Sequence, residues 1–336
     1  VRGHGAGERS PDARRRRDGS HAAGPPHRPR VAGLDAEALP AGRSGIALGS
    51  AFGNVTETQT FLDRLLARGA GNPLVFPNLV MNAALSYATI ELGTTGPSAM
   101  LTEQEASGEA AVAWGAQQVA DGALEVCLAG GADEVTDELL RIERETRIAS
   151  PMGVARPLDR DADGIRRAEG ASVLVLEPLE RARARGARIW ALVEPHAGAS
   201  VPSPVHGWPS DAAALAAVFA PLVADADVVV AAASGAPALD AVEAEALARA
   251  LAGRATPITA PRGVTGHFGA AGALAVATAA LAIAHGAVPP TAGCRTPRHA
   301  ALSVVRDTVL RRPLRTAVVD GLARGGLCRP LRLRAA

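Results

Sequence analysis

The residues best placed for chemistry in this chain lie in Gly96–Val112, GPSAMLTEQEASGEAAV, where a short apolar run gives way to a helix-forming one. A strand-to-helix elbow of this kind exposes the side chain at its apex, and the helix amino terminus lowers the pKa of a thiol there. A cysteine or serine nucleophile suits such a place, but here the apex carries Glu103, Gln104 and Glu105. A carboxylate at Glu105 is a poor acyl carrier, because its acylation product is an anhydride. It also sets negative charge where an oxyanion would form. The plain structural reading is that an acidic residue suits the first turn of a helix, by about 0.3–1 kcal/mol.

His267, in TGHFGAAGA (Thr265–Ala273), is the second candidate: it could retain catalysis, or be a histidine bonded within a glycine turn. Asp159, Asp161 and Asp163 have the D-x-D-x-D-G spacing of a calcium loop, but the twelfth position counted from Asp159 is Gly170, not a bidentate glutamate. No metal and no cofactor are expected, and Glu169 is expected to tie the turn by hydrogen bonds. Cys127, Cys294 and Cys328 form no CxxC pair and read as small core residues in a reducing compartment.

The elements that must position these residues alternate. Strands are expected at Gly45–Phe52, Ser98–Thr102, Glu125–Ala132 and Ser172–Glu177, then at Ile189–Pro195, Val228–Ala233, Pro257–Ala260, Ala317–Gly321 and Leu331–Arg334. Helices are expected at Glu57–Arg68, Ala106–Asp121, Leu179–Arg185, Asp211–Ala224, Asp240–Leu251 and Gly269–His285. Short β-rich runs between Ala-rich or amphipathic helices indicate a layered α/β fold, and runs apolar on both faces (VVVAAA, SVLVLE) indicate sheets covered on each side. The expected organisation is a disordered tail over 1–30, one half over 31–180 and a second over 181–336.

The 336 residues are 48% hydrophobic and 21% charged, with a formal net charge of +1. That suffices for a large core and gives no reason to expect nucleic acid or an acidic membrane as partner. All 35 basic side chains are arginine, as suits a GC-rich genome. The most apolar helix is about one turn short of a membrane span and built from alanine. Residues 1–30 lack the apolar core of a signal peptide, so a cytoplasmic location is expected.

Several segments together resemble the β-ketoacyl synthase family. They are GPSAMLTEQEASG, LEVCLAGGADE (Leu124–Glu134), RPLDRDADGIRRAEGASVLVLEPLERARARGA (Arg156–Ala187), VVVAAASGAPALDAVEAEAL (Val228–Leu247) and TGHFGAAGA, followed by AVPPT (Ala287–Thr291). The resemblance spans residues 31–336 and implies a thiolase-like fold: five layers, αβαβα, from two similar halves, with a dimer built beside the elbow. It also implies the chemistry of condensing an acyl thioester with a malonyl thioester by a Cys-His-His set. In this chain the Cys position falls on Glu105 and the first His on Ala232, while the second His remains as His267. The lysine five residues before that His falls on Arg262, and the gating Phe of the C-terminal glycine turn on Arg324.

These departures resemble those of chain length factors, the inactive partners of ketosynthases in type II polyketide systems. Their elbow resembles GEQAGG against TEQEASG here, their lost-His segment resembles ADGAGVPELDAAEA against AAASGAPALDAVEA, and LARG stands at Leu322–Gly325. Glu in place of Gln, and the retained His267, depart from that pattern. The implied function is a non-condensing subunit pairing with an active ketosynthase and working on an acyl carrier protein in polyketide, polyene or fatty acid synthesis. Two alternatives stand beside it: a residual malonyl decarboxylase or acyltransferase using His267, and a nonfunctional remnant. The last follows from residues 1–44, where nothing resembles the family's opening strand and glycine turn. That strand is expected to be central in the first half, and its loss to reflect a truncated or frameshifted reading frame.

Overall fold

Period-two alternation sorts the strand residues onto two faces. Val228 and Val230 point into one core cluster and Val229 into another, as a sheet buried on both sides requires. The computed structural model describes residues 30, 31, 34, 35, 39–194 and 196–336. The tail expected over 1–30 therefore lies outside the described residues, apart from Arg30.

The first half builds a sheet from β1 (Ser44–Gly49), β2 (Ala99–Leu101), β3 (Val126–Asp133) and β4 (Gly170–Leu176), in the order β2-β1-β3-β4. Strands β1, β2 and β3 are parallel, and β4 runs antiparallel to β3. The second half uses β5 (Leu192–Glu194), β6 (Val228–Val230), β7 (Pro257–Thr259), β8 (Ser303–Val304), β9 (Thr316–Val319) and β10 (Leu331–Arg334). Their order is β8-β7-β6-β9-β10-β5, with β10 antiparallel to both β9 and β5. The run β7-β6-β9-β10 repeats β2-β1-β3-β4 in order and direction.

The longer helices are α1 (Val55–Arg68), α2 (Ala83–Leu92), α3 (Ser107–Ala120), α4 (Asp137–Glu145), α5 (Ala212–Val223), α6 (Pro237–Leu251) and α7 (Gly272–His285), with short ones at Leu179–Ala184 and Arg262–Thr265. Between the sheets lie α3 and α7: Ala111, Val112, Ala273, Val276 and Ala279 share one cluster with Ala47 and Ala129 of the first sheet and Val228 and Val319 of the second. Gly108 makes the helix pair possible, since a Cβ there would stand 2.5 Å from the Ala270 carbonyl oxygen and 2.6 Å from the Ala273 nitrogen. Outside the second sheet, Leu215 and Phe219 of α5 and Leu239 and Leu247 of α6 cover Val229, Ile258 and Val318. Each such buried side chain contributes about 1.5–3 kcal/mol. Leu85 of α2 does the same for Ile46, Val126 and Leu128 of the first sheet. The five-layer α/β architecture is thus the one expected, and the three cysteines are free and buried in it.

The expected elements are present with shifted ends. Helices α2 and α4 and the short helix Arg262–Thr265 were not anticipated. One expectation needs correcting. The strand that the first half lacks among the described residues has its counterpart in β5, which lies at the edge of its sheet beside β10 and not at its centre. Among the described residues the consequence is an open flank on β4, not a hole in the core.

Candidate functional site

The elbow is a 3-10 turn, Gln104–Ala106, joining β2 to α3. Gln104 takes φ of 51°, a conformation that side chains rarely adopt. Ser107 holds the turn: its Oγ accepts from the Glu103 N–H (2.9 Å) and donates to the Gln104 carbonyl (2.7 Å). The apex residue, Glu105, is 1% exposed.

Both elbow glutamates reach the same C-terminal segment. Glu105 accepts from the Arg324 backbone N–H at 3.1 Å and from its Nε at 2.7 Å. Glu103 takes a two-pronged bond from Arg329, Nε to Oε2 at 2.5 Å and Nη2 to Oε1 at 2.6 Å. Glu105 is the acidic residue of the first turn, as the helix-end reading has it, and its carboxylate also serves an arginine on a distant turn.

Arg262 joins two of the three expected site positions. Buried in the short helix, it donates through Nη1 to the Ala232 carbonyl (2.5 Å) and through Nη2 to the Glu105 carbonyl (3.5 Å). The Ala232 N–H donates to both Glu243 (2.7 Å) and Asp320 (2.8 Å). Burial and mutual repulsion raise the pKa of Glu243 well above the usual carboxylate range, and burial raises that of Asp320. Glu109 completes the buried acidic group, with burial pushing its pKa up to about 7. At Ala232 itself only a methyl group is available.

His267 is 3% exposed, and its Nδ1 has no hydrogen-bond partner. Burial, aided by Arg167, Arg262 and Arg324, holds its pKa well below the ordinary value, so the imidazole is neutral. Its backbone is fixed by bonds to Arg166 (2.8 Å) and Ala168 (3.0 Å), while Arg167 pairs with Glu143. Glu105, His267 and Arg324 line a cavity of about 270 Å³, with Ile148 and Trp208 among its apolar walls. The structure thus brings Glu105, Ala232 and His267 together, the first two through Arg262 and the first and third through the cavity.

Asp133 was missed from sequence. It accepts from Ser50 Oγ (2.7 Å) and from the N–H groups of Ala51 (3.0 Å), Phe52 (3.3 Å) and Ala270 (2.7 Å), clamping the loop after β1 to the turn after His267. A buried acid ending an apolar strand was the available signal. The Asp159 carboxylate accepts from Asp161, Arg295 and Thr296 backbone N–H groups. Glu169 accepts from Val135 N–H and not from the 159–164 turn, which corrects its expected role.

Comparison with known proteins settles the family. The β-ketoacyl synthase N-terminal domain matches residues 30–182 and the C-terminal domain residues 195–295. The chain belongs to the β-ketoacyl synthase family. Among β-ketoacyl synthase relatives, a granaticin polyketide putative β-ketoacyl synthase 1 of Streptomyces violaceoruber is 32% identical over 294 residues, 79% of this chain and 69% of that one. The tetracenomycin polyketide synthase ketoacyl synthase beta subunit of Streptomyces glaucescens is 31% identical over 317 residues, 88% of this chain and 76% of that one. A solved structure described as the ishigamide ketosynthase/chain length factor superposes with a TM-score of 0.82 at 28% identity, covering 90% of this chain and 78% of its own. Among the described residues, no helix of this family member is long and apolar enough to cross a membrane.

Proposed function

We propose that this chain is a non-condensing, chain-length-factor-type subunit that pairs with an active β-ketoacyl-carrier-protein synthase and helps shape the pocket in which an acyl chain grows. The observation that carries this reading is the Glu105–Arg324 pair: the nucleophile's place holds a carboxylate already engaged by an arginine. A covalent acyl group would be held there only as a reactive anhydride, and Ala232 offers no proton opposite. The likeness to a ketosynthase/chain length factor structure and to a polyketide synthase beta subunit supports the same reading.

A surface suited to pairing is present. Strand β2 is an edge strand. Phe76 (58% exposed), Tyr87 (58%) and Ile90 (76%) leave apolar area in the segment leading to it. The test is co-expression with the ketosynthase encoded beside it. A stable one-to-one complex by size-exclusion chromatography with light scattering is expected, and failure to pair with that ketosynthase would sink the proposal.

The neutral His267 beside a cavity favours one alternative, malonyl-carrier-protein decarboxylation, in which a neutral imidazole donates to the developing enolate. Release of carbon dioxide from malonyl carrier protein, lost in His267→Ala, would establish it; no release from the purified pair would remove it.

A further inference from the structure

The charges lining the cavity beside the elbow do not balance. Arg147, Arg167 and Arg324 face it against two carboxylates, Glu105 and Glu143. Arg324 is committed to Glu105 and Arg167 to Glu143. Among the described residues Arg147 has no carboxylate partner. Glu105, Glu143 and His267 are buried, whereas Arg147 and His206 are exposed, so the last two mark the mouth of the cavity.

The backbone singles out Arg147 as well. It follows α4 with φ of 56°, a left-handed conformation that favours glycine and crowds a β-carbon. Its N–H closes the helix on the Arg144 carbonyl at 3.2 Å. Arg144 already supplies a cation to the last turn of α4, so the helix dipole does not require a second one. An arginine here carries a conformational cost, and what it gives in return is a guanidinium at the cavity mouth.

The interior suits an anion with an apolar body. Ile148, Trp208 and Pro237 supply apolar wall. At the floor, Arg167, Arg262 and Arg324 each help to hold His267 neutral and no carboxylate opposes them, so the local potential is positive. That field repels a cation, and a wholly apolar molecule leaves Arg147 unanswered. A carboxylate answers it with charge-assisted hydrogen bonds.

We propose that this cavity binds a free carboxylic acid with a short alkyl or aryl body, held without a covalent bond. Its carboxylate lies against Arg147 and its body against Trp208 and Ile148. The inference rests on the reading, given under the proposed function, that Glu105 carries no acyl group, and it adds a ligand to that site. A chain that holds no acyl group as a thioester holds a released one as its acid.

The test titrates hexanoate and benzoate into the full chain, read by tryptophan emission and by calorimetry. Saturable binding is expected, with Trp208→Phe removing the emission change but not the calorimetric signal. Arg147→Ala should weaken binding about tenfold or more, as loss of a charge-assisted bond implies, and Arg147→Lys less. Arg160→Ala, at an exposed arginine outside the cavity lining, should change nothing. Methyl hexanoate keeps the shape without the charge and should bind about tenfold more weakly or worse. Absent binding, equal binding of acid and ester, or an Arg147→Ala loss no larger than that of Arg160→Ala would each overturn the proposal. Pairing with the ketosynthase is measured separately. Pairing without hexanoate binding removes this inference alone, and hexanoate binding without pairing removes the proposed function alone.

Discussion

Arg324 grips the Glu105 carboxylate with three nitrogens: its backbone N–H at 3.1 Å, Nε at 2.7 Å and Nη2 at 2.7 Å. Each residue alone would be unfavourable. A carboxylate 1% exposed needs a cation, and an arginine on the glycine turn needs an anion within reach. Together they convert the elbow and the C-terminal turn into one unit, reinforced by Glu103–Arg329.

The pair should therefore show strong coupling. Arg324→Ala leaves the buried carboxylate with the residue-324 backbone N–H but without its cation, and is expected to cost about 2–3 kcal/mol, below the range for fully buried pairs because Arg324 is partly solvated. Glu105→Gln should cost less, and the double variant less than the sum of the two. Urea unfolding of the four proteins measures the cycle; additive losses would show the contact to be incidental.

Stability should fall as pH rises through neutrality. Glu109 moves from its ordinary 4.5 up to about 7 on folding, chiefly by burial, so between these values the folded chain holds a proton that the unfolded chain has released. That stability is present below pH 4.5 and lost as pH rises toward and past 7, at up to about 1.4 kcal/mol per pH unit for each proton. His267 works in the other direction: its lowered pKa costs stability as pH falls below 6.5. Comparing Glu109→Gln with the parent isolates the first effect. From pH 6 to 8 the parent should lose about 1.4 kcal/mol more than the variant, read from urea midpoints. Equal losses would place the Glu109 proton elsewhere.

Asp133→Ala should be among the most damaging single changes near the site. It strips the partner from one hydroxyl and three N–H groups, at about 1–3 kcal/mol for each that stays dry. A loss of about 4 kcal/mol in thermal or urea unfolding is expected once water reaches some of them. Asp133→Asn, which keeps one acceptor oxygen, should lose less.

On the proposed reading, a thiol placed at the elbow should not confer condensation. Glu105→Cys returns a nucleophile, but Ala232 still lacks a donor, and members of a catalytic unit fail together. Carrier-protein condensation assays should give no product, while iodoacetamide, entering by the cavity that residue 105 lines, should label the new thiol, since Arg324 favours its thiolate. Product from this single substitution would show Ala232 to be dispensable.

The layered architecture was readable because both sheets are built from short apolar runs whose alternation has only one buried solution. Val228–Val230 and Leu331–Arg334 needed no adjustment beyond their ends. Helix α4 escaped because DELLRIERE is mostly charged and buries only Leu139 and Glu143. The elbow, too, was legible, but not its partners: Glu105 and Arg324 are 219 residues apart, and no local pattern links them. Glu243, Asp320 and Glu109 come from three separate elements, so their shared burial and proton uptake emerge only once the sheets are stacked.

The three cysteines leave an experimental opening. Cys127, Cys294 and Cys328 are buried, and burial lifts the first two thiols to about 12 and about 11 and the third higher still. Burial and raised pKa predict that in the folded state they stay unlabelled by maleimides and alkylating reagents, which a thiol titration with and without denaturant checks. Any cysteine placed on the surface thus becomes a unique attachment point for a fluorophore or spin label without first clearing the native thiols. The chain comes ready for distance measurements across its own elbow and sheet edges.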